Sequence, residues 1–459
     1  MAPDIPWGEN WSVGTGRIFL LVNHVFDKIF GVGVTTCRLV SCACNLIMLL
    51  LLYRWARTCF DKTIARLSAF FLATASPFWY FTLHDGSYGA MVGLFAFLSF
   101  FFLSRAILDG GFWNAFGAGL SCGLAVDVHY RGALIVVATW TVLLLSEKRR
   151  HWRLWLALGS GSLVAFAWWY SLNILPMGLD YYLKNIAPVA SEDGGEYSLS
   201  VLLTEFGRFY RMARHGAGIL DLGVWLLLIP VALGSPRPHH ERRPLVVMGL
   251  WLAAIFTIFS LLERTDREDL VLLYAPCLSI LCALGLRRLG ERHPSWASGL
   301  IATLMLLVVG ESLGLLYVRR DLDSDAYFSK LRSSVRPGSI VLGSTSYWYA
   351  FPDQPYYGGQ FYLDRVIQQL HEIKEPQDYS TNMERYGALL SFLSKRKIEY
   401  VIGCERLLPC LERYAPGGVL PSKNFDLIAV FKDPYHGQGK VIGKPPYTTK
   451  IYRVVSHEP

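Results

Sequence analysis

The chain has 459 residues, of which 53% are hydrophobic, 14% aromatic and only 17% charged, with a formal net charge of +8. This composition excludes an ordinary soluble enzyme and makes a polytopic membrane protein the expectation. The positive balance does not point to nucleic acid, because Lys and Arg fall in short clusters between apolar runs and no recognition module accompanies them.

The first 37 residues are an outer loop and an amphipathic segment. The start "MAPDIPWGENWSVGTG" is no cleavable signal peptide: Asp4 and Glu9 stand where a basic region belongs, and no apolar core follows. In "GRIFLLVNHVFDKIF", apolar residues recur at Ile18, Phe19, Leu21, Val22, Val25, Phe26, Ile29 and Phe30, close to a 3.6-residue period. That pattern predicts a helix lying in the membrane interface rather than crossing it.

Residues 38–318 form the predicted transmembrane domain. Spanning helices require about 17–25 apolar residues, and such runs, some of them short, fall at 38–56, 67–83, 88–104, 113–127, 131–146, 154–175, 217–234, 244–262, 269–286 and 299–318. The two shortest, 113–127 and 131–146, meet in the tight turn "VDVHYRG". One alternate set of loops holds Arg54, Arg57, Lys62, Arg66, Arg105, "EKRRHWR", "RPHHERR" and "RRLGER"; the short loops of the other set carry only Arg131, Arg264 and Arg267. The positive-inside rule puts the first set in the cytoplasm, and both chain ends and the loop 176–216 outside. An outer N-terminus without a signal predicts an earlier spanning helix upstream of Met1; transfer of a short tail by the following helix is the rival explanation.

From residue 319 to 459 the composition turns polar. Strand candidates "SIVLG", "IEYVIG", "DLIAVF" and "TKIYRVV", with the amphipathic helix "NMERYGALLSFLSKRK", predict a small extracytoplasmic α/β domain. Seven of the cysteines lie in or beside apolar runs without metal-ligand spacing and read as small core residues. Cys404 and Cys410, flanking "ERLLP", are either a disulfide or two buried thiols.

The order of these parts resembles that of the GT-C membrane glycosyltransferases that use polyprenyl-phosphate sugars, of the protein O-mannosyltransferase and lipid A aminoarabinose transferase kind. The resemblance is carried by Phe30-Gly31 with Arg38-Leu39, by the run from 57 to 77, "RTCFDKTIARLSAFFLATASP", and by Ala118-Gly119 with Gly123-Leu124-Ala125. It covers roughly residues 16–175 well and 244–318 loosely, as a pattern rather than a unique motif. It implies a polytopic α-helical GT-C-like fold with a small outer domain, in the inner (plasma) membrane. The implied activity is inverting transfer of a sugar from a polyprenyl phosphate to a lipid, glycan or protein acceptor on the outer face.

Such transfer needs a base for the acceptor hydroxyl and fixed cations for the departing phosphate. The family's acidic pair, typically Asp-Glu, lies in the first outer loop. No such pair stands in residues 1–16, which agrees with a start upstream of Met1 and leaves Asp4 and Glu9 as the fallback carboxylates. For the donor phosphate or cavity wall the candidates are His84 and Asp85 in "FTLHDGSYGAM", and Asp127, His129 and Arg131 in "VDVHYRG". A third cluster offers Arg267, or alternatively Arg264, shortly before Tyr274 and Pro276. Each has a plainer reading as a solvated cap or an arginine reaching to headgroups. No metal motif is present, and a divalent cation stays open as a cofactor. A transporter or flippase and a noncatalytic membrane scaffold are the alternatives. The first lacks the repeated hydropathy pattern such proteins show.

Overall fold

The computed structural model describes residues 17–31, 33–75, 78, 88–129, 131–175, 219–234, 238–262, 268–293, 299, 302–307, 309–311, 313–314, 324–343, 347, 350–351, 354–358, 378–403, 407–433 and 447–456. They fall into two compact units, one of Ser12–Gly31 and Thr35–Val318, the other of Arg319–Pro459 together with Met1–Trp11 and Val32–Val34.

The first unit is helical. It opens with α1 (Arg17–Phe30), whose Phe19 and Asn23 are buried while Leu21, Val25, Ile29 and Phe30 are exposed. An exposed apolar stripe on a short helix suits a lipid interface. Then come α2 (Val34–Cys59), α3 (Lys62–Thr74), α4 (Tyr88–Leu108), α5 (Phe112–Val128), α6 (Gly132–Leu145) and α7 (Trp152–Trp169), the last running into a π-helical turn at Tyr170–Ile174. After α8 (Ile219–Gly234) and α9 (His239–Leu262), a 3-10 turn at Glu268–Leu273 leads into α10 (Ala275–Arg292).

Among the described residues, Thr35–Cys59, Gly89–Leu108 and His240–Leu261 are long and apolar enough to cross a membrane unaided, and Gly132–Leu145 and Asp221–Gly234 are shorter apolar helices. Three boundaries differ most from the hydropathy reading. The run read as 67–83 begins earlier, as α3 at Lys62, and that helix ends at Thr74, where Ala75 is extended. Helix α9 starts ahead of the run at 244 and continues through Pro244, which reads as a breaker; as the sixth residue of the helix it lies past the first turn and leaves the His240 carbonyl without an intrahelical amide partner. The run read as 269–286 opens instead as the 3-10 turn, because Pro276 near the first position of α10 defines the helix start.

Small residues let the helices meet closely. A Cβ on Gly119 of α5 would collide with the Leu158 carbonyl of α7, and one on Gly161 of α7 with the Phe116 carbonyl of α5. Close backbone approach of this kind is how helices gain packing energy where no water drives them together. Some buried polar side chains pair between helices: Trp55 Nε1 donates to Ser104 Oγ at 2.6 Å, and Ser99 Oγ lies 2.9 Å from Thr139 Oγ1.

The second unit contains a five-stranded mixed sheet. Its strands are β1 (Val341–Gly343), β2 (Tyr356–Gly358), β3 (Tyr400–Gly403), β4 (Phe425–Asp433) and β5 (Tyr447–Val454), in the order β2-β1-β3-β5-β4. Strand β1 is parallel to β2 and β3, and β5 is antiparallel to β3 and β4. Helices α11 (Ser324–Ser333) and α12 (Asn382–Lys395) precede β1 and β3, and the short α13 (Leu408–Glu412) follows β3. Neighbouring strand residues enter different cores: Leu342, Val401 and Tyr452 join the cluster around Leu389, Leu390 and Leu393 of α12, while Val341, Ile402 and Ile451 join that around Tyr327, Phe328 and Leu331 of α11. Burial on both faces is why these strands read as continuous apolar runs. The start of α12 is closed reciprocally, with Thr381 Oγ1 accepting from the Glu384 amide at 3.1 Å and Glu384 Oε2 accepting from the Ser380 amide at 3.1 Å. Cys410 is buried in α13, and Cys404 lies outside the described residues.

Candidate functional site

The turn between α5 and α6 is three residues long and entirely polar in its described positions. Helix α5 ends where His129 turns extended (φ −160°, ψ 141°), with its amide still bonded to the Ala125 carbonyl at 3.1 Å. The chain reverses at once, as the Gly132 amide donates to the His129 carbonyl at 2.7 Å and the Arg131 amide to His129 Nδ1 at 3.2 Å. Glycine is required at 132 because a Cβ there would run into the Ala125 carbonyl. Asp127, His129 and Arg131 are 0%, 4% and 2% exposed. Three ionisable side chains buried within five residues, at the junction of apolar helices, are costly unless each has a polar environment, and such clusters mark ligand or ion paths.

Helices α5 and α6 have 17 and 14 residues, or about 25 and 21 Å at 1.5 Å per residue, shorter than a hydrocarbon core of about 30 Å. Just beyond the far end of α6, Glu147 pairs with Arg243 at the start of α9.

Asp127 has a defined partner. Its Oδ2 accepts a hydrogen bond from the Ile18 amide at 3.0 Å, joining the last turn of α5 to the first turn of α1 across 109 residues of sequence. Helix α1 has no acidic residue of its own in that turn.

The neighbouring turns are described at their flanks. Asn45 Nδ2 of α2 donates to the Phe78 carbonyl at 2.9 Å, fixing the chain that leaves α3. The 3-10 turn packs on the early part of α4, with Leu272 beside Gly93, and the buried Tyr274 then starts α10. Of the residues expected from sequence, Asp4, Glu9, His84, Asp85, Arg264 and Arg267 lie outside the described residues; Asp127, His129 and Arg131 are brought together.

One buried carboxylate was not among those expectations. Asp221, in the first turn of α8, is 3% exposed and near enough to Cys282 of α10 to act on it electrostatically. Its signal was an aspartate set two residues into the apolar run "ILDLGVWLLLIP", which hydropathy averaging absorbs. Among the described residues no three or more of His, Cys, Asp and Glu stand close enough to hold a metal ion.

At the other end of the helices, Arg287 reaches Asp61 Oδ2 at 2.6 Å and also Glu241 Oε1, while Arg288 Nη2 reaches Glu241 Oε2 at 2.7 Å. Asp61 meanwhile caps α3, its Oδ1 accepting from the Ile64 amide at 2.8 Å. These bonds gather the starts of α3 and α9 and the end of α10 at one face of the bundle.

Residues 18–171 match the family model described as dolichyl-phosphate-mannose-protein mannosyltransferase. No curated protein matches the chain. Among solved structures, ArnT from Cupriavidus metallidurans bound to undecaprenyl phosphate is similar, with a TM-score of 0.56 and 15% identity over 97% of this chain and 89% of that one. Its apo form gives 0.58 and 15%, over 97% and 88%. The oligosaccharyltransferase of Archaeoglobus fulgidus, in complex with Zn and sulfate, gives 0.50 and 13%, over 92% of this chain and 63% of that one. At such identities what is shared is the fold.

Proposed function

We propose that this chain, a membrane protein with the fold of the GT-C glycosyltransferases, moves a sugar from a polyprenyl phosphate to an acceptor hydroxyl at the outer face of the inner (plasma) membrane. The observation that carries the reading is the polar turn after α5, with a buried arginine and histidine, in a fold shared with a protein whose structure holds undecaprenyl phosphate.

In this reading a carboxylate takes the proton from the acceptor hydroxyl as its oxygen attacks the anomeric carbon. The bond from that carbon to the phosphate oxygen breaks, configuration inverts, and the lipid phosphate leaves with the added negative charge. Arg131, with Arg264 and Arg267 from the loop before the 3-10 turn, supplies positive charge for that oxygen, and His129, whose Nδ1 accepts from the Arg131 amide, offers its Nε2 proton as a neutral donor. Asp4 and Glu9 are the carboxylates of the first segment available as base, and His84 and Asp85 belong to the same outer wall. A divalent cation is an assay variable rather than a step. The acceptor is a lipid, glycan or protein hydroxyl.

The test is transfer of labelled sugar from polyprenyl-phosphate donors by the purified chain in lipid nanodiscs, with and without divalent cation. Arg131→Ala is expected to lower transfer at least about tenfold, as befits loss of a charge-assisted hydrogen bond. Removing the base, tested as Asp4→Asn and Glu9→Gln, is expected to cost about 10²–10⁴-fold in one of the two. Donor binding with no transfer under any condition would turn the reading toward a transporter or a noncatalytic scaffold.

A further inference from the structure

We propose that Asp127 is a positioning residue: it latches the first turn of the interfacial helix α1 to the end of α5, and so fixes where α1 begins on the helical unit. The latch is read directly from the structure; its bearing on sugar transfer rests on the reading above.

The argument starts from what the beginning of a helix lacks. The first amides of α1 have no carbonyl within the helix to bond, and a helix that begins against protein must find acceptors elsewhere. Usually a Ser, Thr, Asp or Asn just ahead of the helix supplies one. Here the acceptor at the second helical position, Ile18, is a carboxylate oxygen from a helix 109 residues away, at 3.0 Å. A carboxylate at a helix N-terminus also meets the positive end of the helix dipole.

Burial says the contact is a fixture. Asp127 is 0% exposed, and on α1 the residues that follow the latch, Phe19 and Asn23, are buried in the helical unit. Asn23 Nδ2 is turned back onto the Phe19 carbonyl at 2.8 Å. The last residues of α1 face outward. Ile29 and Phe30 are 66% and 60% exposed, and the half-buried Asp27 has its carboxyl pushed above the usual range by burial. Losing the latch releases the first turn of α1 from the end of α5.

The latch and a base role for Asp127 make opposite predictions for one substitution. Asparagine still offers an oxygen to the Ile18 amide but cannot take a proton, whereas alanine does neither. A second handle comes from the other side of the bond: Ile18→Pro removes the donating amide while keeping Asp127, at a helix position that tolerates proline. Ile18→Ala controls for the lost side chain.

The experiment introduces Asn23→Cys and follows maleimide labelling at each cysteine by mass spectrometry in nanodiscs. Cys277, 0% exposed in α10, reports whether the bundle is intact. In Asp127→Ala and in Ile18→Pro, labelling at position 23 is expected to rise about tenfold or more, the scale of a lost cap. Ile18→Ala and Asp127→Asn stay near the parent rate. Adding Ile18→Pro to Asp127→Ala raises labelling at position 23 little further, because the bond it removes is already gone. If Asp127→Ala exposes Cys277, the bundle has opened and the Ile18→Pro result decides alone. Continued protection of position 23 in Ile18→Pro and in any Asp127→Ala protein that keeps its fold overturns the latch.

For transfer, Asp127→Ala is expected to lower kcat about tenfold or more with little change in the donor KM, through displacement of the reacting groups. Asp127→Asn loses less than about threefold, because its oxygen still accepts. Loss in Asp127→Asn equal to that in Asp127→Ala, with position 23 still protected, would show the carboxylate acting on the substrates and overturn the positioning role. If the unsubstituted chain transfers nothing, the glycosyltransferase reading fails, and the labelling alone decides the latch.

Discussion

Tyr386 shows how a single side chain ties a domain to pH. It is 1% exposed on α12, its hydroxyl donates to Asn424 Oδ1 at 2.7 Å, and Asn424 Nδ2 in turn donates to the Ser456 carbonyl at 3.1 Å. Burial pushes the phenol up to about 12, against an ordinary value near 10. The folded state therefore favours the neutral phenol, and its contribution is fully present below pH 10. Above that the unfolded chain ionises first, so stability falls as pH rises from 10 to about 12. Tyr452, also raised by burial and then by Glu412, adds to the same slope. Tyr386→Phe is expected to cost about 1 kcal/mol at neutral pH through the lost hydrogen bond. It should also flatten, without abolishing, the alkaline loss of stability. Thermal unfolding on both sides of pH 10, with amide exchange read in α12, checks both signs; an unchanged alkaline slope in the variant would count against the assignment. None of this could be read in "NMERYGALLSFLSKRK", which shows that the tyrosine is on a helix and not that an asparagine 38 residues on will meet it.

At the scale of elements, the periodic parts of the chain were legible and the polar contacts between them were not. The 3.6-residue period of 17–30 yields α1, and the strand candidates yield β1, β3, β4 and β5, because periodicity follows from which face is buried. Strand β2 escaped notice: three residues, "YYG", are too few to show a pattern. The Lys and Arg loops were read for their side of the membrane, yet their pairing needed the fold. Glu241 is 2% exposed between Arg287 and Arg288, whereas Glu147 and Arg243 meet with both side chains more than half exposed. Only the first is an arrangement whose disruption strands buried charge. Glu241→Ala is expected to destabilise the helical unit by about 3–5 kcal/mol, and Arg243→Ala by less than about 1 kcal/mol. Thermal unfolding in one detergent ranks them, and equal losses would mean that Glu241 is hydrated in the protein as it folds.

For the whole molecule, these ion pairs bear on how the chain threads the membrane. Asp61, Glu147, Glu241, Arg243, Arg287 and Arg288 come from loops that the distribution of Lys and Arg had assigned to one side, and direct bonds now join them in two groups. The buried turn 129–131 lies at the far ends of α5 and α6. The family-model match over 18–171 coincides with the stretch where the sequence resemblance is densest. That stretch is legible because helix packing leaves glycines at fixed spacing, as at Gly119 and Gly123. The candidate site is legible only in part, since the carboxylates and arginines proposed for it stand in loops and carry no periodicity to betray them. Orientation is where the expectations for the molecule are joined. The positive-inside rule puts the Glu147 loop in the cytoplasm. Helix α10 ends at that same face with Arg287 and Arg288, and the apolar run 299–318 is expected from its hydropathy to carry the chain back across. On that expectation Ser333 lies outside, in the compartment where the proposed polyprenyl-linked donor would be used. Reporter fusions active only in the cytoplasm are expected to be active at Glu147 and silent at Ser333, with the reverse for a reporter that requires export. A cytoplasmic signal at Ser333 would break the parity of spans, move the C-terminal domain to the wrong face, and leave the turn 129–131 without an outer donor to receive.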